Sequence, residues 1–160
     1  MIYLIAAIDV NFVIGLGNQL PWHFPKDLIF FRQKTFQQDV LMGWQTYLSL
    51  KKYYGLKPLP FKNIYVASHS KKNFFNIIVI NNLIYFLKQM QHSQQQLFII
   101  GGSQIYHQSL PYVSFMYLTH VLARYQGDSF FPRFDYKQYI IKEKKVIDKL
   151  IFVTYQKLKK

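Results

Sequence analysis

Apolar residues along the chain occur in two patterns: short unbroken runs, and longer stretches with a helical period. Unbroken runs bounded by Asn, Asp, Gly or Pro are typical of strands covered on both faces. These runs predict strands at Ile2–Ile8, Val40–Met42, Asn63–Ala67, Ile77–Ile80, Leu97–Ile100 and Phe115–Val121. The helical period predicts helices at Pro25–Thr35, Trp44–Lys52, Leu83–Met90 after a cap at Asn81 or Asn82, and Ser103–Leu110 before Pro111.

The order of these elements predicts the fold class. Helices separate most of the strands, which favours a mainly parallel sheet with right-handed crossovers. Tyr139–Lys144 and Leu150–Leu158 are joined around Asp148-Lys149 and predict an antiparallel hairpin at the sheet edge. We therefore expect an α/β, three-layer fold in one domain over residues 1–160, with a central sheet of about eight strands flanked by about four helices.

The segment from Asp9 to Trp22 has too much turn chemistry to continue a strand. It contains Gly15, Gly17 and Asn18 and is long for a plain connection. Loops of this length inside compact domains are usually functional. We expect it to cover a site at the carboxyl ends of the strands, where ligands of such sheets bind.

Composition excludes several classes of function. The absence of cysteine excludes disulfides, thiolate metal sites and cysteine nucleophiles, and is compatible with a reducing cytoplasm. The net charge of +13 suggests an anionic partner, but the lysines are spread and form no basic tract, so a solvated surface is favoured over nucleic acid. The apolar start, residues 1–8, is too short for a signal peptide and predicts a strand; no membrane partner is expected.

Asp27 is the first candidate for chemistry, because the stretch Leu20–Phe31 surrounds it with apolar residues. Pro25 suits a first helical position, and Asp27 and Phe31 then share one helical face. The helix dipole favours the anion, whereas burial favours the neutral acid. Asp27 is therefore either a helix-end acid, or a carboxylate in a dry pocket that binds an amidine-like group or controls a proton.

A glycine pair is the second candidate. In Phe98–Tyr106, a strand runs through Gly101 and Gly102 into a helix whose first amides can bind phosphate. Met42–Thr46 offers a similar helix start, and two such ends at one sheet edge suit the two phosphates of a dinucleotide. The five histidines have no metal-ligand spacing, so no metal site is predicted.

Taken together, these segments resemble dihydrofolate reductase of the bacterial, chromosomal type. In chain order they are IAA at 5–7, VIG at 13–15, LPW at 20–22, PxDLxxF at 25–31, MGxxT at 42–46, PLP at 58–60, IGGxxxY at 100–106, YLT at 117–119 and GDxxFP at 127–132. The resemblance implies NADPH-dependent reduction of 7,8-dihydrofolate to 5,6,7,8-tetrahydrofolate, which supports one-carbon metabolism and thymidylate synthesis. It also implies a monomer in the cytoplasm.

The same resemblance implies roles for individual residues. Asp27 is expected to hold the pterin's amino and ring-nitrogen edge with support from Thr119, while a water near Trp22 and Leu20 donates the proton. The implied substrate-binding residues are Ile5, Ala6, Ala7, Asp27, Leu28, Phe31, Leu50, Leu59, Lys62, Ile100 and Thr119. The implied cofactor-binding residues are Ala7, Ile14, Gly15, Asn18, Gly43, Trp44, Gln45, Thr46, Ser68, His69, Ser70, Gly101, Gly102, Ser103, Gln104, Ile105 and Tyr106. Asp128 is expected to hold the covering loop closed.

Three departures from the family pattern affect these expectations. After PLP the family has an arginine for the substrate's α-carboxylate, whereas this chain has Phe61-Lys62-Asn63 and is one residue shorter; Lys62 offers only a point charge, which predicts weaker folate binding. Trp44 stands where an arginine normally meets the cofactor's 2′-phosphate, and Gln104 stands at a further basic position after the glycine pair, which predicts a reduced preference for NADPH over NADH. The alternative candidates for this contact are Ser68, His69, Ser70, Lys71 and Lys72. An insertion, Lys51–Lys57, lengthens the wall of the substrate cleft.

The sequence leaves two other functions as alternatives. A riboflavin-pathway pyrimidine reductase has a similar fold, but LPW and PxDLxxF argue against it. A non-catalytic basic binding protein on a degenerate reductase scaffold would fit the net charge of +13 and the missing arginines. It would not need Trp22, Asp27, Thr46 and Thr119 together.

Overall fold

The computed structural model describes residues 1–73 and 76–159. The strands are β1 (Ile2–Ile8), β2 (Val13–Gly15), β3 (Asp39–Gly43), β4 (Ile64–Ala67), β5 (Ile78–Ile80), β6 (Leu97–Ile99), β7 (Phe115–Val121), β8 (Ser129–Phe130), β9 (Tyr139–Ile147) and β10 (Leu150–Lys157). The helices are α1 (Pro25–Thr35), α2 (Trp44–Tyr54), α3 (Leu83–Gln91) and α4 (Ser103–Ser109), with short 3-10 helices at Leu110–Tyr112 and Tyr136–Gln138.

Within these residues the main sheet has eight strands in the order β5-β4-β3-β6-β1-β7-β10-β9. Strands β5 through β7 in that order are parallel, while β10 pairs antiparallel with both β7 and β9. The predicted fold class is confirmed, including the antiparallel hairpin at the sheet edge. The parallel strands end at the same edge of the sheet.

Side chains of β1 alternate between two apolar cores. Ile2, Leu4 and Ile8 pack with residues of α3 and α4 on one face of the sheet. Tyr3 and Ile5 pack on the other face with residues of α1 and α2. This period of two places helices on both faces and gives the three expected layers.

Local sequence signals account for the helix ends. Helix α1 begins at Pro25 as predicted, because a proline at the first position misses no hydrogen bond. The side chain of Asn82 caps α3 by accepting from Tyr85 N at 3.1 Å. Helix α4 ends before Pro111, but the helical conformation continues there as a 3-10 helix. Pro111 lies inside this 3-10 helix, where its fixed φ is tolerated. No helix among the described residues is long and apolar enough to cross a membrane.

A small second sheet was missed from the sequence. Strands β2 and β8 pair antiparallel. Strand β2 lies in the segment from Asp9 to Trp22, for which the sequence predicts a loop, and β8 lies within the GDxxFP motif at 127–132. Both strands are too short for a periodic signal. Gly127 allows the pairing, because an added Cβ would overlap the side chain of Val13 and lie 2.9 Å from the carbonyl oxygen of Gly15.

Asp9 fixes the start of the segment that contains β2. Its carboxylate accepts hydrogen bonds from the backbone N–H groups of Asn11 at 2.8 Å, Val13 at 2.9 Å and Tyr125 at 2.8 Å. The side chain is only 2% exposed. One buried carboxylate therefore joins the turn after β1 to the chain after β7.

We expect Asp9→Ala to lower the free energy of unfolding by about 3 kcal/mol, because it leaves three backbone donors without their partner. Asp9→Asn keeps one acceptor oxygen and should lower the free energy of unfolding less. Urea denaturation of the three proteins measures both effects. An Asp9→Ala variant as stable as the unmodified protein would contradict this account.

Candidate active site

Asp27 lies in the first turn of α1, hydrogen-bonded to Thr119 on β7. Helices α1 and α2 cover the same face of the sheet, and the space between them at the carboxyl ends of the parallel strands is the candidate cleft. The side chain of Asp27 is 8% exposed, and that of Thr119 is 1% exposed. Burial raises the pKa of Asp27 above the ordinary range, while a side-chain hydrogen bond with Thr119 acts in the opposite direction. The site therefore holds a carboxyl group that takes up a proton more readily than an exposed aspartate.

An unpaired donor lies close to this carboxyl group. The indole Nε1 of Trp22 is buried and has no hydrogen-bond partner within the described residues. Trp22 packs in an apolar cluster with Ala7, and Ala7 is the register partner of Thr119 on the neighbouring strand. A buried donor without a partner marks a place for a water or a ligand atom.

The walls of the cleft are apolar and come from both helices and from the sheet. The members of one buried cluster or its partly buried surroundings include Ile5, Phe31, Leu50, Leu59 and Ile100. All five were predicted as substrate-binding residues. The structure brings these five residues together in one apolar cluster on the face of the sheet that α1 and α2 cover.

The other half of the site consists of two adjacent helix starts. Gly43 precedes α2 and Gly102 precedes α4, and neither start is capped by a described side chain. Gly43 N donates to Gly101 O at 2.9 Å, which places the two starts side by side. A Cβ at Gly43 would lie 3.1 Å from Ile105 Cγ1, and one at Gly102 would lie 3.4 Å from Thr46 Oγ1, so the absence of side chains lets α2 and α4 begin this close together. Adjacent helix starts without a side-chain cap suit a diphosphate.

Two further contacts define this half. The hydroxyl of Tyr106 donates to Ile5 O at 2.8 Å, and burial raises the pKa of Tyr106, so it stays a neutral donor. Beside Trp44, the first residue of α2, Lys71 Nζ lies 5.1 Å from the centre of the indole ring. Ser68 Oγ accepts from Lys71 N at 3.3 Å, which fixes the backbone of this lysine.

The loop between β2 and α1 contacts both sides of the cleft. Gly17 N donates to Asp128 Oδ2 at 3.1 Å, and Ser49 Oγ on α2 donates to Asn18 O at 3.2 Å. Asp128 thus contacts the loop at the position expected from the sequence. Leu20, on the same loop, is 49% exposed.

Known proteins share this sequence and arrangement. A family model described as dihydrofolate reductase matches residues 1–157. The dihydrofolate reductase of Buchnera aphidicola subsp. Acyrthosiphon pisum (strain APS) is 42% identical over 139 residues, 86% of this chain and 81% of the relative. That of Bacillus subtilis (strain 168) is 37% identical over 136 residues, 84% and 77% of the two chains. The chain belongs to the dihydrofolate reductase family.

A solved structure agrees with this assignment. Dihydrofolate reductase from Enterococcus faecalis, complexed with NADP(H) and RAB-propyl, has a TM-score of 0.83 and 27% identity, and the match covers 98% of this chain and 96% of that one. The chain is thus an NADPH-dependent dihydrofolate reductase that forms tetrahydrofolate. Neither the pyrimidine reductase nor the non-catalytic binding protein is favoured.

Some predicted site residues lie apart from the rest. The side chain of Ala6 packs on the opposite face of the sheet, so only its backbone borders the cleft. Lys62 is exposed and lines a cavity of about 570 Å³ with Tyr47, Lys51 and Leu59. Phe61, the residue directly after PLP, is buried in the apolar cluster.

One contact across the cleft was not found from the sequence. Arg32 Nη2 on α1 donates to the hydroxyl of Tyr53 on α2 at 3.0 Å. Arg32 follows Leu28 by one helical turn, so the helical period could have placed it near the cleft. The pairing with Tyr53 could not be found this way, because it joins two helices.

The raised pKa of Asp27 predicts a pH-dependent effect of Asp27→Asn on stability. Burial makes the ionised carboxylate unfavourable in the folded state, so folding raises the pKa of Asp27. The stability that the protonated side chain contributes is present in full below the ordinary carboxyl pKa, and it is lost as the pH rises through the raised pKa. The variant should be more stable than the unmodified protein near pH 7, and this difference should vanish below about pH 3.5.

Urea denaturation across this pH range measures the difference. Asp148→Asn is the control, because Asp148 is an exposed acid whose ion pair with Lys26 at 3.0 Å contributes little. If the difference in free energy of unfolding between Asp27→Asn and the unmodified protein increased as the pH fell, the buried carboxylate could not be its cause.

Proposed function

We propose that Asp27 and Thr119 bind the pterin edge of dihydrofolate in the apolar cleft. The observation that carries this proposal is the burial of one carboxyl group, hydrogen-bonded to Thr119, within walls that are otherwise apolar. The pterin presents an amino group and a ring nitrogen side by side, and a carboxylate can accept from both. In a dry site these charge-assisted hydrogen bonds are strong and orient the ring.

Trp22 is proposed to position the water that supplies the proton. Its buried Nε1–H lacks a protein partner and lies in the cluster that contains Ala7. A water held there by Trp22 can pass a proton to the pterin, while Asp27 raises the basicity of the acceptor nitrogen. Leu20 and the rest of the covering loop then limit the access of bulk water.

The residues of the second half fit NADPH. The adjacent starts of α2 and α4 supply backbone donors for the diphosphate, and glycine at 43, 101 and 102 lets these two starts pack closely together. Bound NADPH supplies the hydride. The chain's own task is to align the nicotinamide, which we assign to Ala7, Ile14 and the loop through Asn18.

Asp27→Asn is expected to lower kcat/KM for dihydrofolate by about a hundredfold or more, because it removes the group that controls the proton. The loss should be smaller in acid, where the solvent protonates the substrate. Thr119→Val should lower kcat/KM less, by about tenfold, since it removes one supporting hydrogen bond.

Absorbance at the NADPH band, followed over a range of pH, measures these rates. Asp148→Asn is the matched control, since it removes an exposed acid. Turnover unaffected by Asp27→Asn would exclude the role proposed for this carboxylate.

Lys71 is proposed to bind the 2′-phosphate of the cofactor. Trp44 occupies the first position of α2, and Lys71 lies over its ring with its backbone held by Ser68. A lysine on an aromatic face keeps its charge while its position is restricted. It offers a point charge instead of the planar fork of an arginine, so a reduced preference for NADPH over NADH is expected.

Lys71→Gln should raise the KM for NADPH about fivefold and leave that for NADH unchanged, because only NADPH carries the extra phosphate. Quenching of tryptophan fluorescence by NADP⁺ and NAD⁺ gives the affinities independently of turnover. Lys72→Gln tests whether the neighbouring lysine acts in the same way. An NADPH preference that survives Lys71→Gln would assign the phosphate to other groups.

We also infer a monomer with one domain, since the residues assigned to both halves of the site come from the same chain. Nucleic acid is not expected as a partner, because the lysines form no basic tract. A cytoplasmic location stays a prediction. Size-exclusion chromatography with light scattering measures the oligomeric state.

A further inference from the structure

We propose that a groove between α1 and the hairpin of β9 and β10 binds a small aromatic anion. The groove has a volume of about 270 Å³. Its walls are one face of α1, between Lys26 and Lys34, and residues of β9 and β10. The residues that line it are different from those assigned above to dihydrofolate and NADPH. The groove is therefore a binding site outside both halves of the active site.

The periods of the two walls bring the lining residues together. On α1 they are three or four residues apart and so share one helical face. On β9 the lining residues Glu143, Lys145 and Ile147 alternate with residues of the other face. Phe152 on β10 pairs in register with Lys145 on one side and with Thr119 on the other. The groove thus lies beside the strand that carries Thr119.

The floor of the groove is aromatic. The ring centres of Phe30 and Phe152 are 4.9 Å apart, and the rings are tilted by 52°. Phe30 also meets the ring of Tyr117 edge-on at 6.1 Å. A planar aromatic ligand would extend this cluster, because tilted and offset ring pairs add to the stabilisation from buried area. The volume lies below the range of about 300–1,000 Å³ that larger ligands occupy, so the groove suits a ligand of one or two rings.

Two lysines at the rim of the groove have a charge available for a ligand. Lys34 Nζ lies 4.7 Å from the ring centre of Tyr117 and 5.6 Å from that of Phe30. These contacts restrict the ammonium group and leave its charge in place. Within the described part of the chain, no ion pair within 4.0 Å involves Lys34 or Lys145.

The charges of the lining residues select the sign of the ligand. Three lysines, at 26, 34 and 145, line the groove together with one acid, Glu143. Lys26 is paired with Asp148 at 3.0 Å, which leaves Lys34 and Lys145 for the ligand. An anionic group attached to an aromatic ring therefore fits both the rim and the floor, whereas a cation would meet two like charges.

The probe for this site is 2-naphthoate, and 2-naphthamide is its neutral analogue of similar shape. The protein is first saturated with folate and NADP⁺, so that the substrate cleft and the cofactor site are occupied. We expect 2-naphthoate to bind this complex with a Kd on the order of 0.1–1 mM, as its small size allows. The amide should bind about fivefold more weakly, because it lacks the charge that the two lysines attract. Isothermal titration calorimetry measures both affinities.

Variants of the rim test which charges act on the ligand. Lys34→Gln and Lys145→Gln should each raise the Kd of 2-naphthoate about threefold, and Glu143→Gln should lower it about twofold by removing a like charge. Lys144→Gln is the matched control and should leave the Kd unchanged. Lys144 pairs in register with Val153, which packs in the core on the opposite face of the sheet.

The position of the ligand is measured separately by NMR. Shifts of backbone amide signals on addition of 2-naphthoate should be largest along α1, β9 and β10. Shifts centred elsewhere, equal affinity for the acid and the amide, or equal losses in Lys144→Gln and Lys145→Gln would each overturn the proposal. Failure of 2-naphthoate to bind the saturated complex would also overturn it. Lys145 is exposed, so Lys145→Gln remains a test even if Lys34→Gln, which loses two ring contacts, does not fold.

Discussion

Strand β1 is the constraint on which the rest of the structure depends. Both of its edges are paired, to β6 and to β7, and both of its faces are covered by helices. Each side chain must therefore suit one of two apolar cores, and the backbone has no room to slip in register. This arrangement aligns the carboxyl ends of the parallel strands and gives the site its position.

At that edge the chain places one acid where burial disfavours its charge. Burial raises the pKa of Asp27, so the free protein loses stability at neutral pH when this carboxyl group ionises. In the proposed complex the dry surroundings would strengthen its hydrogen bonds to the pterin edge, and binding would offset that loss.

Two cations of the chain are restrained by aromatic side chains. Lys71 lies over the ring of Trp44, and Arg32 donates to the hydroxyl of Tyr53. In neither contact does the partner neutralise the charge. Both cations therefore keep their charge while a neutral aromatic side chain limits their motion.

The sequence by itself determined the strongly patterned elements. Unbroken apolar runs marked β1 and β7 with their observed ends, and Pro25 marked the start of α1, because these signals act on neighbouring residues. The order of the elements determined the fold class, and the glycine pair with Asp27 indicated both halves of the site. Tertiary structure alone decided the β2–β8 pairing and the Arg32–Tyr53 contact. Each joins residues distant along the chain, and a local period carries no information about such pairs.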